Sequence, residues 1–257
     1  MQSNLAINVC DVTKIYRLYD KPIDRLKESI SLTHKKYHKE FFALDKISFC
    51  VEKGSTVGII GTNGSGKSTI LKIITGVLNQ TEGVVSIDGV EPNEITKSYV
   101  AYLPDKIFLD ESMTIKDTIS MHADFYEDFS KDRAYDMFND LKIPDKFKIK
   151  ALSKENRRKL QVILVMSRNA KLYVLDEPFI NVDADARDYI LKIILSNYNR
   201  NAGILISTTL TPEVERMLDE VVFIKDGEII LYDAADKIRN EKGCSIDEYF
   251  REVFNVS

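Results

Sequence analysis

The chain has 257 residues, 44% hydrophobic and 30% charged, with a formal net charge of −4. That length and balance suit one large globular domain or a core with a small appended subdomain, and the acidic charge removes the electrostatic basis for a nucleic-acid partner. Cys10, Cys50 and Cys244 lack the spacing of a metal or redox motif and read as reduced thiols of a cytoplasmic protein; with no signal segment and no membrane-length apolar run, any membrane role is expected through a partner or a peripheral surface.

Residues 5–18, LAINVCDVTKIYRL, read as a strand followed by a loop. Tyr16 there either packs on a sheet or stacks on a base. Asp20 and Pro22 are helix-start residues, and Ile23, Leu26 and Ile30 then fall on one face. The basic and then aromatic run HKKYHKEFF follows. Such a segment can lie on a membrane surface, pack on a partner, or form a solvated helix. Leu44, Ile47, Phe49 and Val51 predict a half-buried strand over 44–53.

The apolar run Val57–Ile60 breaks into Gly61-Thr62-Asn63-Gly64-Ser65-Gly66-Lys67-Ser68, followed by Thr69. This matches the phosphate-binding loop pattern G-x-x-x-x-G-K-[ST]. Its glycines let backbone N–H groups turn inward around phosphate oxygens. Lys67 would reach the terminal phosphates as a point charge, and the Ser68 hydroxyl would ligate Mg²⁺. A helix from Lys67 to about Val77 would add its positive end to the same site.

Beyond it, VVSIDG predicts a short strand ending in a turn, and SYVAYLP a buried strand stopped by Pro104. From 113 to 167 three helical patterns interrupt the strand–helix alternation, so about 106–166 reads as an inserted helical subdomain. Alternation resumes with a strand over 171–177, a helix from Asp183 to about Asn197, and a strand over 203–208. Thr211-Pro212 opens a short helix. Two alternating runs around Asp226-Gly227 predict a hairpin, and Ser245 with Glu248 a capping box in a helical tail spanning 236–257. The stretch Leu172–Glu177 reads as a buried strand ending in two carboxylates: Asp176 suits a Mg²⁺ ligand through water, Glu177 an orienter of attacking water.

With that carboxylate pair following a phosphate loop across a helical insertion, nearly the whole chain resembles the ATP-binding subunits of ABC transporters. The resemblance implies one α/β domain: a P-loop NTPase (RecA-like) core with an antiparallel β subdomain and an inserted helical subdomain. It makes Tyr16 the adenine-stacking aromatic, Gly61–Thr69 the Walker A loop, Leu172–Glu177 the Walker B strand and Asn181-Val182-Asp183 the D-loop. It implies ATP and Mg²⁺ as ligands and a second cassette, identical or not, closing head to tail. The expected place is the inner face of the cell membrane, held there by a transmembrane permease contacted near Asp105 to Met113. The N-terminal half is similar to polysaccharide and teichoic-acid export ATPases, and the part from about Tyr102 to ABC-2 type ATPases.

Three positions depart from the family pattern. Leu152-Ser153-Lys154-Glu155-Asn156 stands where the family has LSGGQ, keeping Ser153 but placing Glu155 where a glycine approaches the partner's γ-phosphate. Like charges about 4 Å apart repel by roughly 4 kcal/mol at an effective dielectric near 20, a ceiling if the side chain rotates away. The same residues also read as a capped helix start with an acidic first turn. Thr209 occupies the switch-histidine position; it can donate a hydrogen bond but carries no imidazolium charge, and His34, His38 and His122 all lie far away in sequence. Asp105 replaces the usual glutamine and remains a potential Mg²⁺ or water ligand. Binding is therefore expected with slow turnover, or one of two unequal sites in a dimer.

Overall fold

The computed structural model describes residues 4–30, 36–208 and 212–255. The chain runs β1 (Leu5–Tyr19), α1 (Pro22–Ile30), β2 (His38–Glu52), β3 (Thr56–Ile60), α2 (Lys67–Ile74), β4 (Glu82–Ile87), α3 (Glu94–Tyr99) and β5 (Val100–Leu103). Helices α4 (Ile115–Phe125), α5 (Lys131–Asn139) and α6 (Lys154–Met166) follow, then β6 (Leu172–Asp176), α7 (Ala184–Asn197) and β7 (Gly203–Thr208). The C-terminal part is α8 (Pro212–Glu215), β8 (Glu220–Lys225), β9 (Glu228–Ala234), α9 (Ala235–Lys242) and α10 (Ile246–Phe254).

Two sheets form: an antiparallel one ordered β2-β1-β4, and a six-stranded one ordered β5-β6-β7-β3-β8-β9, parallel except for the β8–β9 hairpin. The fold is the expected α/β P-loop NTPase core with an antiparallel sheet beside it. Strands β3 and β6 are buried along their whole length, as continuous apolar runs in a doubly covered parallel sheet require. Strand alternation divides their side chains between two cores. Val57, Ile59, Leu172 and Val174 pack toward the antiparallel sheet and α2, whereas Ile60, Tyr173 and Leu175 pack toward α6, α7 and α10. The parallel direction brings the C-terminal ends of β3, β5, β6 and β7 to one edge, where ligands of open α/β sheets bind.

Three local readings change. The segment expected to become a loop before Leu18 stays in β1, because Tyr16 to Tyr19 pair with Phe41 to His38 of β2, which itself begins well before Leu44. The three-residue step from Leu44 to Ile47, both fully buried, is absorbed by Lys46 at φ 49° and a shift of register against β1. Helix α3 takes Ser98 and Tyr99 from the expected strand, held by a capping box between Asn93 and Thr96. Other signals fall where expected: Asp183 caps α7, Ser245 and Glu248 box α10, and Asp226 and Gly227 turn the hairpin at φ 50° and 84°.

That hairpin turn also touches the phosphate loop. Gly227 N–H donates to Ser65 O (3.0 Å), and Gly227 O accepts from Asp45 N–H (2.8 Å). A β-carbon on Gly227 would lie 3.0 Å from Ala43 O, so only glycine allows this approach. Among the described residues, no helix is long and apolar enough to cross a membrane.

Candidate functional site

The loop between β3 and α2 turns through Gly64 (φ 83°) and Gly66 (φ 113°), and Gly66 caps α2 without any side-chain hydrogen bond. Only glycine tolerates that angle easily, and a β-carbon on Gly66 would also sit 2.8 Å from Ala43 O. The positive end of α2 therefore meets the loop without a side chain in front of it. Lys67, 6% exposed, donates to Gly61 O (2.7 Å) and Thr62 O (3.2 Å), and its ammonium is 3.4 Å from Glu177 Oε1.

Next to the lysine, Ser68 Oγ donates to Asp176 Oδ1 (3.1 Å), which also accepts from Ser207 Oγ of β7 (2.6 Å). Asp176 is fully buried, and its other oxygen, Oδ2, has no hydrogen-bond partner. An orphaned buried carboxylate oxygen beside a serine hydroxyl fits a hard cation completed by phosphate oxygens. Ser68 and Asp176 are thus the residues that would hold Mg²⁺. Glu177 follows in a left-handed conformation (φ 49°), with its N–H on Ser207 O and Oγ, both at 3.0 Å.

These groups meet at a cavity of about 490 Å³. Tyr16, Asn63, Gly64, Ser65, Gly66, Lys67, Ser68, Thr69, Asp105 and Glu177 line it, with Gly61 and Thr62 behind the loop as acceptors for Lys67. Tyr16 lines the cavity and is 37% exposed, with Lys14 Nζ over its ring at 5.3 Å, so it is not packed away in the sheet.

Two candidate residues stand apart. Ser153 caps α6, its Oγ accepting from Asn156 N–H (3.2 Å), and Glu155 lies in the first turn; neither lines the cavity. Thr209 lies outside the described residues, as does His34. His38 pairs instead with Glu28, and its ring together with the Tyr37 N–H, which contributes most, holds that carboxyl below its usual range. His122 is pushed down by burial within α4.

Sequence reasoning missed Phe41, which lines the cavity opposite Tyr16 and is 51% exposed. Cross-strand register puts both aromatics on one face, a nonlocal fact without a local signal.

The family model for the ABC transporter matches residues 44–180. An ATP-binding protein of an ABC transporter from Methanocaldococcus jannaschii is 31% identical over 79% of this chain and 76% of its own length. The ABC transporter ATP-binding protein YtrB of Bacillus subtilis is 28% identical over 77% of this chain and 69% of its own. Human ATP-binding cassette sub-family A member 10 is 28% identical over 83% of this chain, a match spanning only 15% of that much longer protein. Among solved structures, an ATP-binding subunit of an ABC transporter superposes with a TM-score of 0.78 at 24% identity, covering 97% of this chain and 99% of that one. A dimeric cassette bound to ADP and phosphate gives 0.72 at 20% identity, covering 89% and 98%. By its sequence match, and in keeping with its fold, the chain belongs to the ABC transporter family and carries that family's ATP-binding cassette.

Proposed function

We propose that this chain binds and hydrolyses ATP to drive a membrane exporter, as the cassette subunit of a head-to-tail dimer. The observation that carries this reading is the convergence of Lys67, Ser68, Glu177 and Tyr16 on one cavity, with buried Asp176 bonded to Ser68 behind its wall. Tyr16 and Phe41 offer a surface for the base, and the loop N–H groups and Lys67 receive the phosphates. Mg²⁺, when bound, neutralises charge on the phosphate oxygens. Glu177 holds and orients the water that attacks the terminal phosphorus, while ADP leaves with the bridging oxygen. The partner's Ser153 and the N-terminal end of its α6 complete each site.

The 106–166 segment acts as the subdomain that meets the permease. A groove of about 450 Å³ beside it, lined by Lys97, Tyr102, Phe108, His122, Tyr126 and Arg168, supports that assignment. Arg168 spans the groove floor, pairing with Asp128 (2.8 Å), donating to Val100 O (2.7 Å) and stacking on Tyr126 at 4.0 Å. Export as the direction draws support from the N-terminal segment's likeness to polysaccharide and teichoic-acid exporters. A Bacillus subtilis relative, the SkfA peptide export ATP-binding protein SkfE, adds to it at 25% identity over 73% of this chain and 81% of its own.

A second reading, an ATP-binding partner with impaired turnover in an asymmetric dimer, is favoured by Glu155 in the first turn of α6. Steady-state Mg-ATP hydrolysis, run beside Glu177→Gln and a direct ATP-binding assay, separates the two. Turnover abolished by Glu177→Gln supports the motor. Binding without turnover at any protein concentration supports the impaired partner, and failure to bind ATP sinks both.

A further inference from the structure

Arg158 lies one turn into α6 and is 4% exposed. Each of its five N–H groups has an acceptor. Nε donates to Pro178 O (3.3 Å), Nη1 to Pro104 O (2.8 Å) and Gln161 Oε1 (3.4 Å), and Nη2 to Asp176 O (2.9 Å) and Glu177 O (2.8 Å). Three consecutive carbonyls, those of residues 176–178, converge on one guanidinium. They belong to the turn that holds Glu177 at φ 49°, a backbone region that persists only where the surroundings over-determine it.

One turn further along α6, fully buried Gln161 donates through Nε2 to Lys106 O (3.2 Å). The carbonyls on both sides of Asp105 are therefore held by one face of α6. The same helix is capped by Ser153 at its exposed end, one turn before Arg158.

We propose that Arg158 is the positioning residue that locks α6 to both Glu177 and Asp105, so that engagement of the Ser153 end by the partner's nucleotide sets the geometry of the water-orienting carboxylate in the same chain. This rests on the reading of the cassette as a dimeric ATPase. The demand for arginine is geometric. A planar fork spans four carbonyls from separate segments, whereas a lysine ammonium brings the same charge with three donors from one point. Burial pushes the guanidinium down to about 10, against the pull of Asp176, Asp105 and Glu177, so it is a cation throughout the neutral range.

Arg158→Lys, compared with wild type by MgATP binding, steady-state kinetics, thermal melting and amide hydrogen exchange, tests the assignment. The expected result is a Kd for MgATP within about twofold, an unchanged KM and a kcat lower by on the order of 10²-fold, as for a displaced reacting group. Exchange should rise in residues 176–182 and not in 57–74. Unchanged kcat together with unchanged exchange would overturn the proposal. So would a uniform loss of affinity, melting temperature and protection, which would mark Arg158 as a structural strut only. If Arg158→Lys does not fold, Gln161→Leu removes the bond to Lys106 O together with the acceptor of one Arg158 Nη1 N–H; faster exchange centred on 104–107 with a smaller fall in kcat upholds the lock, and no change in either rejects it. If the wild type binds ATP without turnover, the ATPase reading has failed separately, and the exchange pattern of Arg158→Lys alone decides for or against the lock.

Discussion

Helices α2 and α6 both start where the dimer model needs a phosphate, yet their first turns are built in opposite ways. Helix α2 is capped by Gly66 without a side-chain bond and has no acidic residue in its first turn. Helix α6 is closed by Ser153, whose hydroxyl takes the Asn156 N–H, and carries Glu155 in its first turn. An unfilled helix start is stabilised by the anion it receives; a self-capped one is stable alone and gains less from a phosphate. On the proposed reading, the first turn of α2 is left open for an anion, and that of α6 would trade affinity for local stability.

The largest expected effect tests the open end. Lys67→Ala should weaken MgATP binding by roughly 10²-fold or more, given the strength of charge-assisted phosphate contacts. Calorimetric titration checks this, and unchanged affinity would mean that α2 does not seat the phosphates. Next, Gly66→Ala forces a β-carbon to 2.8 Å from Ala43 O and Leu44 Cδ2 at φ 113°. Urea unfolding should show a loss of about 1–3 kcal/mol from such backbone strain.

The self-capped end can be opened by exchange. Combining Glu155→Gly with Thr209→His should raise kcat by about tenfold or more, since each restores a group that faces transferring charge. An unchanged kcat would mean that these positions do not limit turnover. Ser153→Ala should cost about 1 kcal/mol of stability through loss of the cap, read from the melting temperature. The smallest effect lies at the rim: Phe41→Ala should lower nucleotide affinity about fivefold, some 1 kcal/mol, at the low end of base–aromatic stacking.

Groups that act through their sequence neighbours were legible before folding. The phosphate-loop pattern, the Asp183 cap and the Ser245–Glu248 box are each written within a few residues, whereas the carboxylates at 176 and 177 gain meaning only beside that loop, since Ser68, Ser207 and Lys67 are their partners. Helix α3 was not legible, because its box carries Thr96 rather than Glu or Gln at the third position and its six residues show no apolar stripe. Phe41 and Arg158 were invisible for a different reason. The role of Phe41 depends on register between β1 and β2, and that of Arg158 on carbonyls from residues 104 and 176–178. The long strand β1 combines both lessons: its apolar alternation is local, but its persistence to Tyr19 is dictated by the partner strand.

The tip of the β8–β9 hairpin has a metrical consequence. Gly227 bonds to the phosphate loop at Ser65 and to β2 at Asp45, while β2 pairs directly with the strand that carries Tyr16. The aromatic rim and the anion seat are therefore parts of one frame, and the separation between them is a fixed gauge. On the proposed reading, a mononucleotide would be measured from its ring to its last phosphorus against this gauge, so that chain length would be selected at the same moment as charge. Lengthening the turn after Asp226 by one residue should blur that calibration, narrowing the gap in affinity between nucleoside di-, tri- and tetraphosphates while each strand remains paired.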